Sequence, residues 1–237
     1  MSNENYLFRK RRLLRNFDIS ISRVKPSLLG WLGEVRTGRL FYQARQEYEV
    51  LIPRIPYIGR NNPLLMFLLP ATRYLAVYRA LQEQGFGVEE AGRLSFLIGT
   101  EEIRALPNIT RRFISYLWFT PWFRARIKRR AVKSHQRRYP GDYVLNYVAG
   151  DGCEFDYGVD YLECASCKFL EAENASELTP YVCAVDKTAS ELLGWGLQRT
   201  MTLAEGSHRC DFRFKKGRET QVVTPLSLER PIREVSI

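Results

Sequence analysis

The chain of 237 residues lacks the motifs that define several large classes of protein. It has two histidines and three methionines, and it contains no GxGxxG or Walker loop, no HExxH motif and no GxSxG nucleophile elbow. Those motifs shape phosphate-binding loops, zinc sites and serine nucleophiles. The sequence therefore gives no local support to nucleotide binding, zinc proteolysis or serine hydrolysis.

Long hydrophobic runs are also missing. The longest apolar stretch, residues 63–81, is interrupted by Pro70 and Arg73, and its unbroken part is far shorter than the roughly 20 residues of a transmembrane helix. The N-terminal residues are basic but lack the apolar core and cleavage site of a secretory signal. Five cysteines without such a signal favour free thiols, so we expect a cytoplasmic protein.

Charge is plentiful but unevenly distributed. The chain carries 36 basic and 26 acidic side chains, a net charge of +10. Residues 1–140 hold 26 basic and 10 acidic side chains, whereas residues 141–237 hold 10 and 16, together with all five cysteines. We therefore predict a helical basic region over 1–140 and an α/β region over 141–237, which share one core.

Hydrophobic periodicity predicts the elements of the first region. The first 50 residues, residues 64–84 and residues 88–97 have helical spacing, and a proline-rich irregular connection occupies 51–63.

The second region has both strand and helix patterns. Residues 143–148 form a β-rich run, and two alternating segments, 197–203 and 209–215, are joined closely enough to form a hairpin. Residues 162–172 suit a helix, and residues 176–186 a turn that leads into a short apolar segment. A brief helix or turn follows at 190–196, and the last twenty residues suit a tail. The fold class expected is α+β, with a helical basic N-terminal half packed on a small antiparallel sheet in the C-terminal half.

Residues 109–138 combine an aromatic block with a dense run of lysine and arginine. The favoured interpretation is a helix with its aromatic side chains in the core and its basic ones in water. A helix that lies on an anionic membrane surface is the second interpretation. Nucleic-acid binding is unlikely, because neither paired zinc ligands nor an RNP motif accompanies the basic run. The aromatic block consists of Phe113, Tyr116, Trp118, Phe119, Trp122 and Phe123.

The side chains suited to chemistry lie in the acidic region. Cys183 and Asp186 are three residues apart and could face one another on a turn. Cys210 and Asp211 are adjacent, so on a strand they point to opposite faces unless a bulge intervenes. For each cysteine, a role as a small buried hydrophobe is the simpler alternative.

A metal site is an alternative use of the cysteines. Cys164 and Cys167 form a CxxC pair, and Cys183 and Cys210 could complete a set of four thiols around zinc or an iron–sulfur cluster. A single CxxC without a second pair is weak evidence, so no cofactor is the first expectation.

Several blocks of this region resemble the closing signature of the L-2-amino-thiazoline-4-carboxylic acid hydrolase family. Cys183 is followed at the third position by Asp186, Arg-Thr-x-Thr-Leu-Ala-x-Gly occupies 199–206, and Cys-Asp-Phe occupies 210–212. A Tyr-x-Glu-Cys element at 161–164 also fits. The resemblance covers roughly residues 143–216, and Cys153 and Cys167 are not part of it.

The resemblance implies a hydrolase that acts on a non-peptide carbon–nitrogen bond of a small carboxylate substrate. Such an enzyme opens a cyclic isothiourea to a carbamoyl derivative of cysteine. Arg199 would anchor the substrate carboxylate or form an ion pair with Asp186 or Asp211. One of these aspartates would hold the cationic ring.

Two chemical routes stay open. Cys183 or Cys210 could attack the ring carbon covalently, or an aspartate or His208 could activate water. A non-catalytic protein that binds a small ligand or a membrane surface is a further alternative. The sequence does not indicate an oligomeric state.

Overall fold

The computed structural model describes residues 4–229, which form nine α-helices and a five-stranded sheet with short 3₁₀ turns between them. The helices are α1 (Glu4–Leu7), α2 (Lys10–Ser22), α3 (Lys25–Leu51), α4 (Leu65–Gln82), α5 (Val88–Arg104), α6 (Asn108–Trp118), α7 (Pro121–Ser134), α8 (Ala165–Ala172) and α9 (Thr179–Leu193). The strands are β1 (Val144–Ala149), β2 (Tyr157–Glu163), β3 (Leu197–Arg199), β4 (Cys210–Phe214) and β5 (Gln221–Val222). The expected α+β class is confirmed.

The helices of the first region follow the predicted pattern. α4 covers the predicted 64–84 segment and buries Leu68 and Leu75 completely. α5 begins at the predicted residue but continues to Arg104, because its apolar face extends to Ile98. A single core cluster contains buried side chains from both regions of the chain, from Tyr6 to Val222.

The sheet has the order β1-β2-β4-β3-β5 and is mixed. All neighbouring strands are antiparallel except β3 and β5, which are parallel. The predicted small antiparallel sheet is thus present in β1, β2, β4 and β3, and the parallel pairing of β5 with β3 was not predicted. The parallel strand, β5, lies in the segment predicted to be a tail, whose residues 230–237 fall outside the described part of the chain.

The predicted hairpin strands do pair, through β3 and β4, but β3 is shorter than expected. It ends at Arg199 because the next two backbone N–H groups are taken by a side chain. The Asp211 carboxylate accepts from Thr200 N at 2.9 Å and from Met201 N at 2.6 Å. Residues 203–205 then form a 3₁₀ turn on the way to β4.

Helix α9 corrects the predicted turn and apolar segment around residue 183. Thr179–Leu193 form one continuous helix, with Pro180 in its first turn and Gly194 in the left-handed conformation (φ 67°) at its end. Proline at a helix start and glycine just past its end are helix boundary signals. Cys183 and Asp186 therefore share a helical face.

Two glycines on α5 allow α9 to pack closely. A β-carbon on Gly92 would overlap the ring of Tyr181, and one on Gly99 would lie 2.7 Å from a Val185 methyl group. Since Tyr181 and Val185 face α5, the part of α9 that carries Asp186 is free to contact the sheet.

Residues 109–138 form two helices rather than one. α7 starts at Pro121, and its N-cap, Thr120, accepts a hydrogen bond from Phe123 N at 3.2 Å. Trp118 stacks on Trp195 with ring centroids 4.1 Å apart, as the core interpretation predicted. That interpretation was wrong for three other aromatic residues, which the structure leaves exposed: Phe113, Tyr116 and Trp122.

Candidate functional site

The candidate site is a buried polar cluster between α8, α9 and the sheet. Tyr161 on β2 lies at its centre: burial raises the pKa of the Tyr161 hydroxyl, and the nearby Asp186, Cys164 and Cys210 add to the rise. Arg199 joins this group because it contacts Asp186 directly. The fold thus brings together four residues predicted from the sequence: Cys164, Asp186, Arg199 and Cys210.

Arg199 is occupied by an ion pair. Its Nη1 lies 2.5 Å from Asp186 Oδ2 and donates to the Cys183 carbonyl at 3.0 Å. The guanidinium carbon lies 5.6 Å from the centroid of the Phe212 ring, and the side chain is only 3% exposed. Of the two roles predicted for Arg199, this geometry corresponds to the ion pair.

Asp186 is a carboxylate with an unusual environment. Burial raises its pKa to about 6, and the attraction of Arg199 opposes that rise only in part. The side chain is therefore mostly ionised at neutral pH and takes up a proton in mildly acidic solution.

Asp211 is engaged by its own chain. Besides the two backbone N–H groups already described, it accepts from Thr200 Oγ1 at 2.6 Å. Three hydrogen bonds to a side chain that is 8% exposed give Asp211 a structural task, because they hold the turn after β3.

Cys210 and His208 differ in burial. Cys210 Sγ accepts a hydrogen bond from Leu203 N at 3.2 Å, and burial raises the pKa of its thiol to about 12. His208 is exposed, and its Nε2 lies 2.8 Å from Arg209 Nη1. The structure therefore does not bring His208 into the buried cluster.

Cys164 and Cys167 meet Cys183 from the first turn of α8. Hydrogen bonds with the thiols of Cys164 and Cys183 raise the pKa of the Cys167 thiol, and burial raises it further. The Cys167 thiol therefore stays protonated. The Cys167 thiol in turn lowers the pKa of Cys164, aided by the backbone N–H groups of Cys167 and Ser166. Of the CxxC pair, Cys164 is therefore the thiol that the structure favours as a thiolate.

Sequence motifs alone point to Cys164 only as part of the family pattern and as a metal ligand. The signal for its position was present, because a CxxC pair that opens a predicted helix places the first cysteine beside free backbone N–H groups. The importance of Cys164 becomes clear only when the thiol of Cys183, which is distant in sequence, is seen beside Cys167.

The metal alternative is not supported by the arrangement. Within residues 4–229, no group of three or more His, Cys, Asp or Glu side chains is placed to hold a metal ion. The proposed ligand set of Cys164, Cys167, Cys183 and Cys210 stays a prediction.

A cavity of about 380 Å³ lies at the end of α7, and none of the thiols belongs to its wall. Its wall contains Glu163, the residue before Cys164, and Tyr143, whose hydroxyl lies 3.0 Å from Ser166 Oγ in the first turn of α8. Burial, and after it the nearby Cys164 thiol, raises the pKa of Tyr143. One side of the Tyr143 ring thus borders the cavity while the ring also lies close to the thiols.

The cavity carries charges of both signs. Two of its guanidinium groups pair with its two carboxylates: Arg130 with Asp142 at 2.5 Å, and Arg137 with Glu163 at 2.5 Å. Lys168 also contacts Glu163, and this contact is the main reason that the pKa of Glu163 is lowered. The remaining cations of the wall are Lys133 and Arg138.

An α+β fold with a thiol cluster and a cavity of mixed charge has the features of a site for a small polar molecule. A model of the L-2-amino-thiazoline-4-carboxylic acid hydrolase family matches residues 113–214 of this chain. The match confirms the predicted family resemblance. It extends from α6 to the end of β4, and so includes the thiols, the Arg199–Asp186 pair and the cavity. Neither a curated protein nor a solved structure matches the chain.

Proposed function

We propose that this protein is a cytoplasmic hydrolase that opens a carbon–nitrogen bond in a small cyclic carboxylate of the L-2-amino-thiazoline-4-carboxylate type. The observation that carries the proposal is the family match over the segment that holds both the thiols and the cavity. All five cysteines are free thiols, as expected of a protein in a reducing compartment.

The cavity is complementary to such a substrate in charge and size. The substrate is a zwitterion, with a carboxylate on one side of the ring and a protonated amidine-like group on the other. Arginine and lysine at the end of α7 suit the carboxylate, and the cationic group would share Glu163 with Arg137 and Lys168. A volume of about 380 Å³ is sufficient for a five-membered ring with two substituents.

In this proposal Arg199 does not bind the substrate carboxylate. The Arg199 guanidinium is buried against Phe212 and paired with Asp186, so a substrate would have to displace a carboxylate to use it. Lys133 and Arg138 form no ion pair among the described residues and line the cavity. We therefore assign the anchor to these two side chains.

We assign the nucleophile of the proposed covalent route to Cys164, which follows the cavity residue Glu163 in sequence but is not itself in the cavity wall, so the substrate has to move beyond the cavity to reach it. The Cys164 thiolate adds to the ring carbon between sulfur and nitrogen, and the ring nitrogen takes a proton and leaves as an amine. Water then attacks the same carbon, the bond to Cys164 Sγ breaks, and the thiol is restored as the carbamoyl product departs. In the alternative route, a carboxylate such as Glu163 activates water for direct attack.

The first prediction concerns the reaction itself. Purified protein is expected to convert L-2-amino-thiazoline-4-carboxylate to a carbamoyl derivative of cysteine, followed by loss of substrate and by the mass of the product. Metal content is measured on the same sample, and a chelator is expected to leave the rate unchanged. A folded sample that leaves the substrate intact contradicts the proposed reaction.

The second prediction concerns the anchor. Replacing both cavity cations, Lys133→Gln with Arg138→Gln, is expected to raise KM about 10- to 100-fold with a smaller change in kcat, because charge-assisted hydrogen bonds to the substrate are lost. The matched control, Lys128→Gln with Arg129→Gln, removes two exposed cations of α7 that lie outside the cavity wall. Equal effects in both double variants would assign the change to overall charge instead.

A further inference from the structure

The outer side of α6 and α7 exposes large apolar side chains. Ile109, Phe113 and Tyr116 follow one another at four and three residues on α6, so they form one stripe, and their exposed fractions are 75%, 61% and 65%. Trp122, at the start of α7, is 57% exposed. α6 contains no buried residue at all. Large exposed apolar side chains that form a stripe, as on α6, mark interaction surfaces.

Basic side chains accompany this stripe, and acidic ones are missing. The sequence contains no aspartate or glutamate between Glu102 and Asp142. Arg112 lies within the stripe of α6 and is exposed. On α7, Arg126 and Arg129 follow Trp122 at helical spacing and are exposed, and the Arg126 guanidinium lies 5.6 Å from the Trp122 ring centroid.

We propose that this α6–α7 face, formed by Ile109, Arg112, Phe113, Tyr116, Trp122, Arg126 and Arg129, binds the surface of an anionic lipid bilayer. Aromatic rings are favoured at the level of the lipid headgroups, because the environment there is apolar on one side and hydrated on the other. Arginines beside them attract anionic headgroups. The proposal is independent of the reaction proposed above.

The chemistry of the face favours a membrane over nucleic acid. A basic nucleic-acid surface derives its affinity from phosphate contacts and does not require four protruding apolar side chains. Here the protruding groups include an isoleucine and a phenylalanine, whose transfer from water to the acyl-chain region of a bilayer is favourable. Among the described residues no helix is long and apolar enough to cross a bilayer, so the contact would be peripheral.

The face is separate from the cavity. Arg130 lies in the cavity wall on α7. Its side chain is 24% exposed and is paired with Asp142. Arg126 and Arg129 are not in the cavity wall. Changes to the α6–α7 face should therefore leave turnover in solution unchanged.

The test is sedimentation of the full chain with vesicles of phosphatidylcholine alone or of equal parts phosphatidylcholine and phosphatidylserine. We expect binding to the anionic vesicles only, weakened by added salt. Phe113→Ser with Trp122→Ser should abolish it, and Arg112→Gln with Arg126→Gln should weaken it about 10- to 100-fold, since each basic residue near the surface contributes a factor of roughly five. The control, Val35→Ser with Tyr42→Ser, changes two side chains of α3 that are 77% and 69% exposed and should have no effect.

Three outcomes would overturn the proposal. The first is wild-type protein that stays in the supernatant with anionic vesicles at low salt. The second is equal binding by wild type and by both face variants. The third is binding to a single-stranded oligonucleotide that competes for the same residues while vesicles are ignored. Circular dichroism of each variant shows that the helices are intact.

Discussion

Replacing Cys164 with alanine is expected to lower the turnover of L-2-amino-thiazoline-4-carboxylate by about a thousandfold. Cys164 lies at the start of α8, where the Cys167 thiol and two backbone N–H groups stabilise its thiolate. In contrast, burial raises the pKa of Cys210 to about 12, so that thiol is almost fully protonated at neutral pH. Since the thiolate is the attacking species, Cys164 has the advantage.

The measurement compares four single alanine variants. Cys183→Ala and Cys210→Ala test the two cysteines that the sequence analysis favoured, and Cys153→Ala is the control, because Cys153 lies exposed in the turn before β2. We expect near-normal kcat for the control and for Cys183→Ala. A large loss in Cys183→Ala with normal turnover in Cys164→Ala would transfer the role to Cys183. Normal turnover in all four would leave only direct attack by water.

A second readout does not depend on the substrate. The rate of alkylation of Cys164 by iodoacetamide, followed by mass spectrometry, reports the thiolate fraction at each pH. Cys164 is expected to react at lower pH than an ordinary cysteine thiol. Cys167→Ala should shift the Cys164 profile to higher pH, because it removes the main hydrogen bond that stabilises the thiolate.

Replacing Arg199 with alanine is expected to lower the free energy of unfolding by about 3–5 kcal/mol. The change removes a side chain that is 3% exposed and leaves the Asp186 carboxylate, whose side chain is 25% exposed, without its partner. It also removes the donor to the Cys183 carbonyl. Denaturant unfolding measures the loss.

Two further variants define the cause of this loss. Arg45→Ala removes an exposed ion pair with Asp18, whose side chains are 41% and 48% exposed, and should cost no more than about 1 kcal/mol. Arg199→Met combined with Asp186→Leu should recover much of the stability, because it removes both buried charges. A single Arg199→Ala variant as stable as Arg45→Ala would show that the buried pair contributes little.

The same pair has a pH dependence with a defined sign. Because burial raises the pKa of Asp186 to about 6, the folded protein binds this proton more tightly than the unfolded chain does. The resulting stabilisation is full below the ordinary aspartate pKa of about 3.9 and is lost as the pH rises through 6. Relative to Asp186→Asn, the wild type should therefore lose roughly 2 kcal/mol between pH 4 and pH 7. A gain over that interval would mean that the attraction of Arg199 outweighs burial.

Local sequence patterns predicted the elements that have a clear pattern of apolar side chains within their own sequence. α5 has apolar side chains at helical spacing and β4 alternates in sequence, so each presents an apolar face to the core wherever it packs. The sequence of α4 is apolar over most of its length, and the structure buries it on most sides. The central strand β2 was missed because Gly158 and Asp160 are poor strand formers by themselves. Asp160 is accommodated by Arg213 on the neighbouring strand, 2.7 Å away, and no local pattern contains that partner.

The sequence by itself determined the class of the fold, the basic and acidic halves, the family resemblance and the kinds of side chain available for chemistry. All of these depend on residue type and on spacing over a few positions. Tertiary structure alone decided that Arg199 is paired with Asp186, that Asp211 supports a turn, that three thiols meet at the start of α8, and that Phe113 and Trp122 face water. Each of those outcomes depends on contacts between segments that are distant along the chain, and their geometry follows from how the helices and the sheet pack together.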